Sequence, residues 1–438
     1  MRISIIFFFI IFYANTVLAS PNIEYWITSV GAEVYYVHAP ELPMVDIQIV
    51  FDAGSSRDED ALGIAMLTNS LLADGANGDD ADKISNDFES LGAIYAADVG
   101  YDSASLQLRS LTESELLKSA IVNLKKVLSA PDFPTDALER RRSQMLIGIK
   151  AKQQSPAAIA KDAFMKAIYQ SHPYAKPSEG TETSVKAIKR KDIVSFYKKH
   201  YTAKNSMIAI VGAVSHELAK QISEDISAAF QDGEKASSMR AVEKLEEPQS
   251  IFIEYPSAQT HILVGQPGVK RGDSDYFSLY VGNHILGGGG MVSRLFEEVR
   301  EKRGLSYSAY SYFSPMLFKG PFTAGLQTKT DQVDEAISVL LENIKNYIEQ
   351  GPTEEELIAA KKNITGGYPL RIDSNSKILN YVVVIGYYKL PLDYLETFNN
   401  NVEAVTIESI KDAFKRRLSP DKLVMVKVGA SSNKKSED

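Results

Sequence analysis

Residues 297–313 read EEVREKRGLSYSAYSYF and place an arginine and a tyrosine seven residues apart, on either side of a predicted helix end. Arg300 carries a permanent positive charge and the Tyr307 phenol donates a hydrogen bond, so together they could stabilise negative charge developing on an oxygen. Each also has an ordinary structural role, because a helix C-terminus favours a cation and tyrosine suits a strand. The pair is a candidate half of an active site.

The chain contains no motif that would complete a hydrolytic site by itself. A catalytic zinc needs imidazole or carboxylate ligands close together and an open position for water. No two of the six histidines lie within two helical turns of each other: His38, His172, His200, His216, His261 and His284. His216-Glu217 starts like a zinc-binding helix, but no second histidine follows at the required spacing. There is no Gly-x-Ser-x-Gly motif, and the four glycines at 287–290 lack a phosphate-loop ending, so we predict a flexible loop there.

Length and composition indicate a globular chain of two or more domains. Of its 438 residues, 44% are hydrophobic and 24% are charged, and the net charge is −8. This acidic balance argues against a nucleic-acid partner, because phosphate binding needs a basic surface. The chain has no cysteine, which excludes disulfides, thiolate metal sites and a lipid-modified cysteine.

The N-terminal residues have the pattern of a secretory signal sequence. Arg2 precedes an apolar run at 3–13, and Val17-Leu18-Ala19 ends on a small residue suited to cleavage. The run is shorter than the ~20 residues that span a bilayer, and no later segment is long and apolar enough. We therefore predict a signal peptide at 1–19 and a secreted chain, periplasmic in a Gram-negative bacterium, with no membrane span after cleavage.

Three pairs of segments repeat along the chain at a constant offset of roughly 215 residues. They are 45–75 with 260–290, 120–145 with 336–364, and 205–214 with 422–431. Tandem duplication produces such a constant offset. The predicted organisation is an N-terminal domain at 20–230, a polar linker at 231–250, a C-terminal domain at 251–430 and a disordered tail at 431–438.

Local patterns in both halves mix strands with helices. Alternation predicts strands at 101–110 and 321–329, and helical periodicity predicts helices at 113–128 and 184–200. A further helix is predicted at 353–364, where TEEE is a capping-box start. This order predicts an α+β fold in which each half is a mostly antiparallel sheet with helices packed on it. Two such lobes joined by a linker could enclose a cavity.

The repeat and two segments, GGGGMVSRLFEEVREKRGLSYSAYSYFSP (287–315) and SHPYAKPSEGTETSVKAI (171–188), resemble the pitrilysin/insulinase family of zinc peptidases. The resemblance covers about residues 22–430. It is strongest to the short bacterial subunits that are similar to the mitochondrial processing peptidase. It implies two homologous α/β sandwich domains in tandem, which form half of a clamshell and face a second such half across a closed chamber.

In that family an inverted His-x-x-Glu-His motif binds zinc, with a more distant glutamate as third ligand. The resemblance places the histidine positions at Met66 and Ser70, the general-base glutamate at Asn69 and the third ligand at Leu146. Thioether, hydroxyl and hydrocarbon groups do not suit zinc, and an amide cannot take a proton from water. We therefore expect these positions to be structural and this chain to bind no zinc.

Active members of the family carry an arginine and, seven residues later, a tyrosine, and Arg300 and Tyr307 match both. The resemblance implies that the tyrosine donates to the scissile carbonyl oxygen, while the arginine holds the substrate backbone or supports that oxygen. It further implies a heterodimer in which a homologous partner subunit holds the zinc and this chain completes the site in trans. Unfolded or short peptides are the expected substrates, with Gly288, Gly289 and Gly290 as candidate substrate-binding residues.

Two alternatives stay open. The chain could be a catalytically inactive peptide-binding or structural scaffold of the same fold, in which case Arg300 would matter only for stability. It could also be an independent hydrolase with an unrecognised site, which zinc analysis and an activity assay on the isolated chain would test.

Overall fold

The computed structural model describes residues 21–431, and its first half builds one large sheet, a short hairpin and a set of helices. The strands are β1 (Glu24–Ile27), β2 (Glu33–His38), β3 (Met44–Phe51), β4 (Gly75–Ala76), β5 (Asp79–Asp80), β6 (Ile94–Val99), β7 (Ala104–Leu111) and β8 (Ser206–Gly212). The helices are α1 (Ile64–Leu71), α2 (Ala81–Glu89), α3 (Ser114–Ser129), α4 (Thr135–Lys152), α5 (Pro156–Tyr169), α6 (Glu182–Ala187), α7 (Arg190–His200) and α8 (His216–Ser227). The predicted signal peptide at 1–19 and all but the first residue of the predicted tail lie outside the described residues.

The second half builds another sheet with its own helices. The strands are β9 (Gln249–Glu254), β10 (Gln259–Pro267), β11 (Ala309–Phe313), β12 (Pro321–Lys329) and β13 (Val424–Gly429). The helices are α9 (Tyr276–Asn283), α10 (Arg294–Phe296), α11 (Val333–Gln350), α12 (Glu354–Gly367), α13 (Asn375–Tyr387), α14 (Tyr394–Glu403) and α15 (Ile407–Arg417). Over the described range, no helix combines the length and the apolarity needed to cross a bilayer.

The two large sheets share one topology. The first runs β1-β2-β8-β3-β7-β6 and the second runs β9-β13-β10-β12-β11. Each contains one parallel pair, β2 with β8 and β9 with β13, and the remaining pairs are antiparallel. The second sheet thus repeats β2, β8, β3, β7 and β6 in order and direction. This confirms the predicted α+β fold of two homologous, mostly antiparallel sheets with packed helices.

Local capping signals fix where several helices begin. The Thr353 hydroxyl accepts from the Glu356 amide at 3.2 Å, and the Glu356 carboxylate accepts from the Thr353 amide at 2.7 Å, so the predicted capping box starts α12. The prediction of one helix over 184–200 is wrong. The backbone is extended at Ile188, and the Asp192 carboxylate then accepts from the Lys189 amide at 2.9 Å, which starts α7 as a separate helix.

Each half supplies one helix to the sheet of the other half. α5 packs on β10 and β13, and its Phe164 ring lies over Gly265, where a Cβ would come within 2.9 Å of the ring. α13 packs on β2, β3 and β8, and Gly386 lets it approach Tyr35 and Met207 closely. The two halves therefore share one interlocked set of hydrophobic clusters and are not two lobes that only a linker joins.

A buried carboxylate adds polar contacts between the halves. Asp102, in the turn between β6 and β7, accepts from the Leu317 amide at 2.8 Å and the Tyr388 hydroxyl at 3.0 Å. Tyr174 donates to the same carboxylate, and Tyr387 donates to the Asp102 carbonyl at 2.7 Å. Burial raises the pKa of Asp102, and its hydrogen-bond donors oppose that rise. A buried carboxylate needs such donors, so the network favours one arrangement of the two halves.

Replacing Phe164 with alanine tests the helix exchange. Phe164 is buried between α5 and the second sheet, whereas Phe252 on β9 is about half exposed. We expect Phe164→Ala to lower the free energy of unfolding by about 3–5 kcal/mol, because a large buried ring is replaced by a cavity. Phe252→Ala is the matched control and should cost less than about 1 kcal/mol. Urea unfolding followed by circular dichroism measures both variants. Equal losses in the free energy of unfolding would contradict the packing of α5 on the second sheet.

Candidate functional site

Arg300 lies in a helical segment that departs from regular α geometry. The chain forms a π-helical turn at Glu297–Glu301 directly after α10, and another at His284–Gly288 before it. Gly304, with a φ of +63°, ends the segment. π-Helical turns are rare and are frequently found at functional sites. The sequence predicted an ordinary helix end here.

The Arg300 guanidinium is held by aromatic rings. Its Cζ lies 4.7 Å from the centroid of Phe296, one turn earlier, and 5.6 Å from that of Tyr307. These are cation–π distances, worth ~0.5–1 kcal/mol each at an exposed site. The neighbouring Glu298 carboxylate is occupied by Lys302 and Arg303, which lower its pKa. Among residues 21–431 Arg300 has no carboxylate partner, so its positive charge is uncompensated.

Tyr307 projects from a loop whose neighbours are fixed. The Ser306 hydroxyl lies 2.6 Å from the Gln327 carbonyl and donates to it, and β11 begins at Ala309. Tyr307 itself is 79% exposed. Its hydroxyl has no hydrogen-bond partner in the part of the chain that the structure describes, so it can donate to a group outside the chain. The structure therefore brings Arg300 and Tyr307 together on the surface.

The glycine run 288–290 lies near the same strand. The Asn283 side-chain amide donates to the Ser311 carbonyl at 2.8 Å, which holds the preceding π-helical turn against β11. A Cβ at Gly289 would come within 2.7 Å of the His284 carbonyl, and Gly290 has a φ of +64°. Gly288 ends the π-helical turn and Gly290 begins a short 3-10 turn, so helical turns stand in place of the predicted flexible loop. Its role in substrate binding stays a prediction.

A groove of about 480 Å³ adjoins the strand that follows Tyr307. One wall is α5, with Phe164 and Met165, and the other includes Tyr310 and Tyr312, whose rings stack with centroids 5.6 Å apart. Burial raises the pKa of both tyrosines, so their phenols stay protonated at neutral pH. β11 is an edge strand of the second sheet. A groove with aromatic side chains beside an edge strand suits an extended peptide, which can pair with the strand through its backbone.

Asn69, at the position of the family's general base, is a structural residue. It is buried on α1, and its Nδ2 donates to the Asp98 carbonyl at 3.0 Å and the Ser105 carbonyl at 3.3 Å. Its Oδ1 accepts from the Tyr201 hydroxyl at 3.0 Å. These bonds use the polar atoms of the amide to connect α1 with β6, β7 and the end of α7.

The other three zinc-site positions offer no suitable ligand. Ser70 donates to the Leu67 carbonyl of its own helix at 3.0 Å, Met66 is half-buried, and Leu146 on α4 packs against the hydrophobic core of the first half. A zinc ion does not fit this set, because it contains neither an imidazole nor a carboxylate. In the described residues, no three histidine, aspartate or glutamate side chains are grouped so that they could hold a metal ion.

Comparison with known families identifies both halves. Residues 33–182 match the insulinase family, peptidase family M16. Residues 187–364 match the domain described as the peptidase M16 inactive domain. The first match contains the helices α1 and α4, on which the zinc-site positions lie, and the second contains Arg300 and Tyr307.

Similar proteins cover nearly the whole chain. A Helicobacter pylori protein named non-peptidase homolog YmxG is 28% identical over 410 residues, which is 92% of each chain. A Bacillus subtilis protein named uncharacterized zinc protease YmxG is 24% identical over 409 residues, covering 92% of this chain and 97% of its own. The solved peptidase M16 inactive domain from Pseudomonas fluorescens is 38% identical with a TM-score of 0.91, covering 95% of this chain and 100% of that one.

The role of Asn69 can be tested against its neighbour on the same helix. Asn69→Ala should lower the free energy of unfolding by about 1–3 kcal/mol, since it removes the acceptor of the buried Tyr201 hydroxyl and the donor to two carbonyls. Ser70→Ala should change it by no more than about 0.5 kcal/mol, because Ser70 bonds only its own helix. Chemical denaturation measures both. If the Asn69→Ala protein is as stable as the Ser70→Ala protein, the Asn69 hydrogen bonds do not stabilise the contacts of α1 with β6, β7 and the end of α7.

Proposed function

The chain belongs to peptidase family M16, the insulinase family, as a non-catalytic member, and we propose that it is the zinc-less subunit of a two-chain peptidase. In this proposal a homologous partner subunit carries the zinc site, and this chain supplies Arg300 and Tyr307 to that site in trans. One observation carries the proposal: an exposed phenol beside an uncompensated guanidinium, on a chain whose own zinc positions hold no ligand.

The placement of Arg300 and Tyr307 suits a group that donates a hydrogen bond to a developing oxyanion. The Tyr307 hydroxyl donates to the carbonyl oxygen of the bond to be cleaved, and Arg300 supports the negative charge from beside the ring. Zinc held by the partner subunit would supply the activated water. Since the phenol has no internal partner to give up, it donates without any rearrangement of this chain. A donor of this kind is worth roughly 3 kcal/mol of transition-state stabilisation.

The groove beside β11 supports unfolded or short peptides as the substrate class. Its Tyr310 and Tyr312 rings offer apolar surface to side chains, while the edge strand offers backbone groups. Recognition through the backbone requires an extended segment and selects only loosely for sequence. The glycine run 288–290, which follows from the π-helical turn that packs on the same strand, is a further candidate for contact with the peptide backbone.

We also propose that the two-chain peptidase acts outside the cytoplasm. This rests on the signal peptide predicted at 1–19, with its charged Arg2 and its apolar run. In a Gram-negative bacterium the mature chain and its partner would meet in the periplasm.

A peptide-binding scaffold without proteolysis is the second candidate. The names of two similar proteins, an inactive domain and a non-peptidase homolog, favour it as much as they favour a helper subunit. The groove would then hold peptides for another purpose. The two candidates differ in one respect: the scaffold needs no donor at Tyr307, whereas the two-chain peptidase does.

Tyr307→Phe removes only the hydroxyl and tests the proposal directly. Co-expressed with a homologous chain that carries His-x-x-Glu-His, the wild-type protein should cleave an unfolded peptide, and each chain alone should not. The variant should lower turnover of the pair by about 10²–10³-fold without changing its melting temperature. Tyr25→Phe, on an exposed tyrosine of β1, is the control and should change nothing. Unaltered turnover with Tyr307→Phe would favour the scaffold.

A further inference from the structure

A second cavity lies apart from the peptide groove, and we propose that it binds a small soluble polyanion of the oligophosphate class. Its volume is about 770 Å³, within the range of small-ligand sites. It forms where residues 233–240 of the linker cross the turn at 55–57, the turn at 173–175 and the C-terminal end of α7. It shares no lining residue with the groove beside Tyr307.

The lining is strongly basic, although the chain as a whole has a net charge of −8. Two carboxylates, Glu59 and Glu234, line the cavity, and both already pair with lysines. The basic lining side chains are Arg57, Lys176, Lys198, Lys199, Lys235 and Arg240. An anion with several charges is the ligand that such a surface attracts.

Three of these cations are available to a ligand. Lys198, Lys235 and Arg240 have exposed side chains, and none of them takes part in an ion pair or side-chain hydrogen bond within residues 21–431. The helix dipole of α7 accounts for a lysine in its last turn. It does not account for Lys235 and Arg240, which the linker brings to the same cavity from elsewhere in the chain.

Two buried hydroxyls at the cavity have no partner. Ser55 is 5% exposed and Ser56 is 6% exposed, and neither hydroxyl makes a hydrogen bond in the described structure. Their backbone amides are already used, since they donate to the Gly100 and Tyr101 carbonyls at 3.0 Å. A buried hydroxyl without a partner is unfavourable, so these two hydroxyls point to a bound group that would complete their hydrogen bonds. Hydroxyl donors beside cations match the needs of phosphate oxygens.

The linker side of the cavity is held in place before any ligand binds. The Arg57 guanidinium pairs with Asp52 and also donates to the Ser237 carbonyl at 2.7 Å. The Ala236 amide donates to Asn205 Oδ1 at 2.9 Å. An anion that bridges Lys235 to the body of the first half would therefore meet a preorganised site, which lowers the cost of binding. By linkage, it would also stabilise the folded chain.

Isothermal titration of the mature chain with tripolyphosphate at low ionic strength tests this site without any partner subunit. We expect saturable binding with one site per chain. Lys235→Gln and Arg240→Gln should each weaken it about tenfold, since each removes a charged hydrogen-bond donor. Lys362→Gln, on an exposed lysine of α12 outside the cavity, is the matched control and should bind like the wild type. Absence of binding, or equal weakening by Lys362→Gln, would overturn the proposal.

Ser56→Ala separates a ligand site from a merely charged surface. It should weaken tripolyphosphate binding and, because it removes an unpaired buried hydroxyl, should not lower the melting temperature of the unliganded chain. Unchanged affinity would overturn the assignment of the hydroxyl to the site. Phosphatidylglycerol vesicles distinguish a lipid headgroup from a soluble anion. Sedimentation of the wild-type chain with vesicles, lost in Lys235→Gln, would contradict a soluble ligand.

Discussion

The exchange of α5 and α13 between the two halves is the constraint on which the rest of the structure depends. Each sheet packs against a helix that the other half supplies, so neither half has its full set of core contacts by itself. Asp102 and the tyrosines around it hold the same junction through buried hydrogen bonds. The exchange also shapes the candidate site, because α5 of the first half forms one wall of the groove whose other wall is in the second half.

The key polar side chains are buried and hydrogen-bonded in the first half but lie near solvent in the second half. In the first half, Asn69 is buried, and hydrogen bonds within the fold use both ends of its amide. In the second half, Tyr307 and Arg300 are kept near solvent, where an unpaired group costs little, and contact mainly each other and Phe296. A chain that bound its own zinc would instead carry imidazole or carboxylate ligands at these first-half positions. This contrast is the physical basis for the proposal that a partner subunit holds the metal.

Much of the fold follows from local sequence, and the rest depends on contacts between distant segments. The constant offset of the repeats predicted two sheets of one topology, and TEEE predicted the start of α12. The spacing of Arg300 and Tyr307 was also visible, because both lie in one segment. The periodicity of α5 shows that one face is buried but not against which sheet. The π-helical turns have no compositional signal. The basic cavity joins segments far apart in the chain, so only the folded structure reveals it.

The central claim is that the Tyr307 phenol faces the metal of a partner subunit. Fluorine-labelled tyrosine placed at Tyr307 reports this distance when the partner's zinc is replaced by paramagnetic cobalt. The account predicts strong broadening or shift of the Tyr307 resonance in the cobalt-loaded pair relative to the zinc-loaded pair, with no change for the same label at Tyr25 on β1. A Tyr307 resonance whose position and width do not change with cobalt in the fully assembled two-chain complex would contradict the account.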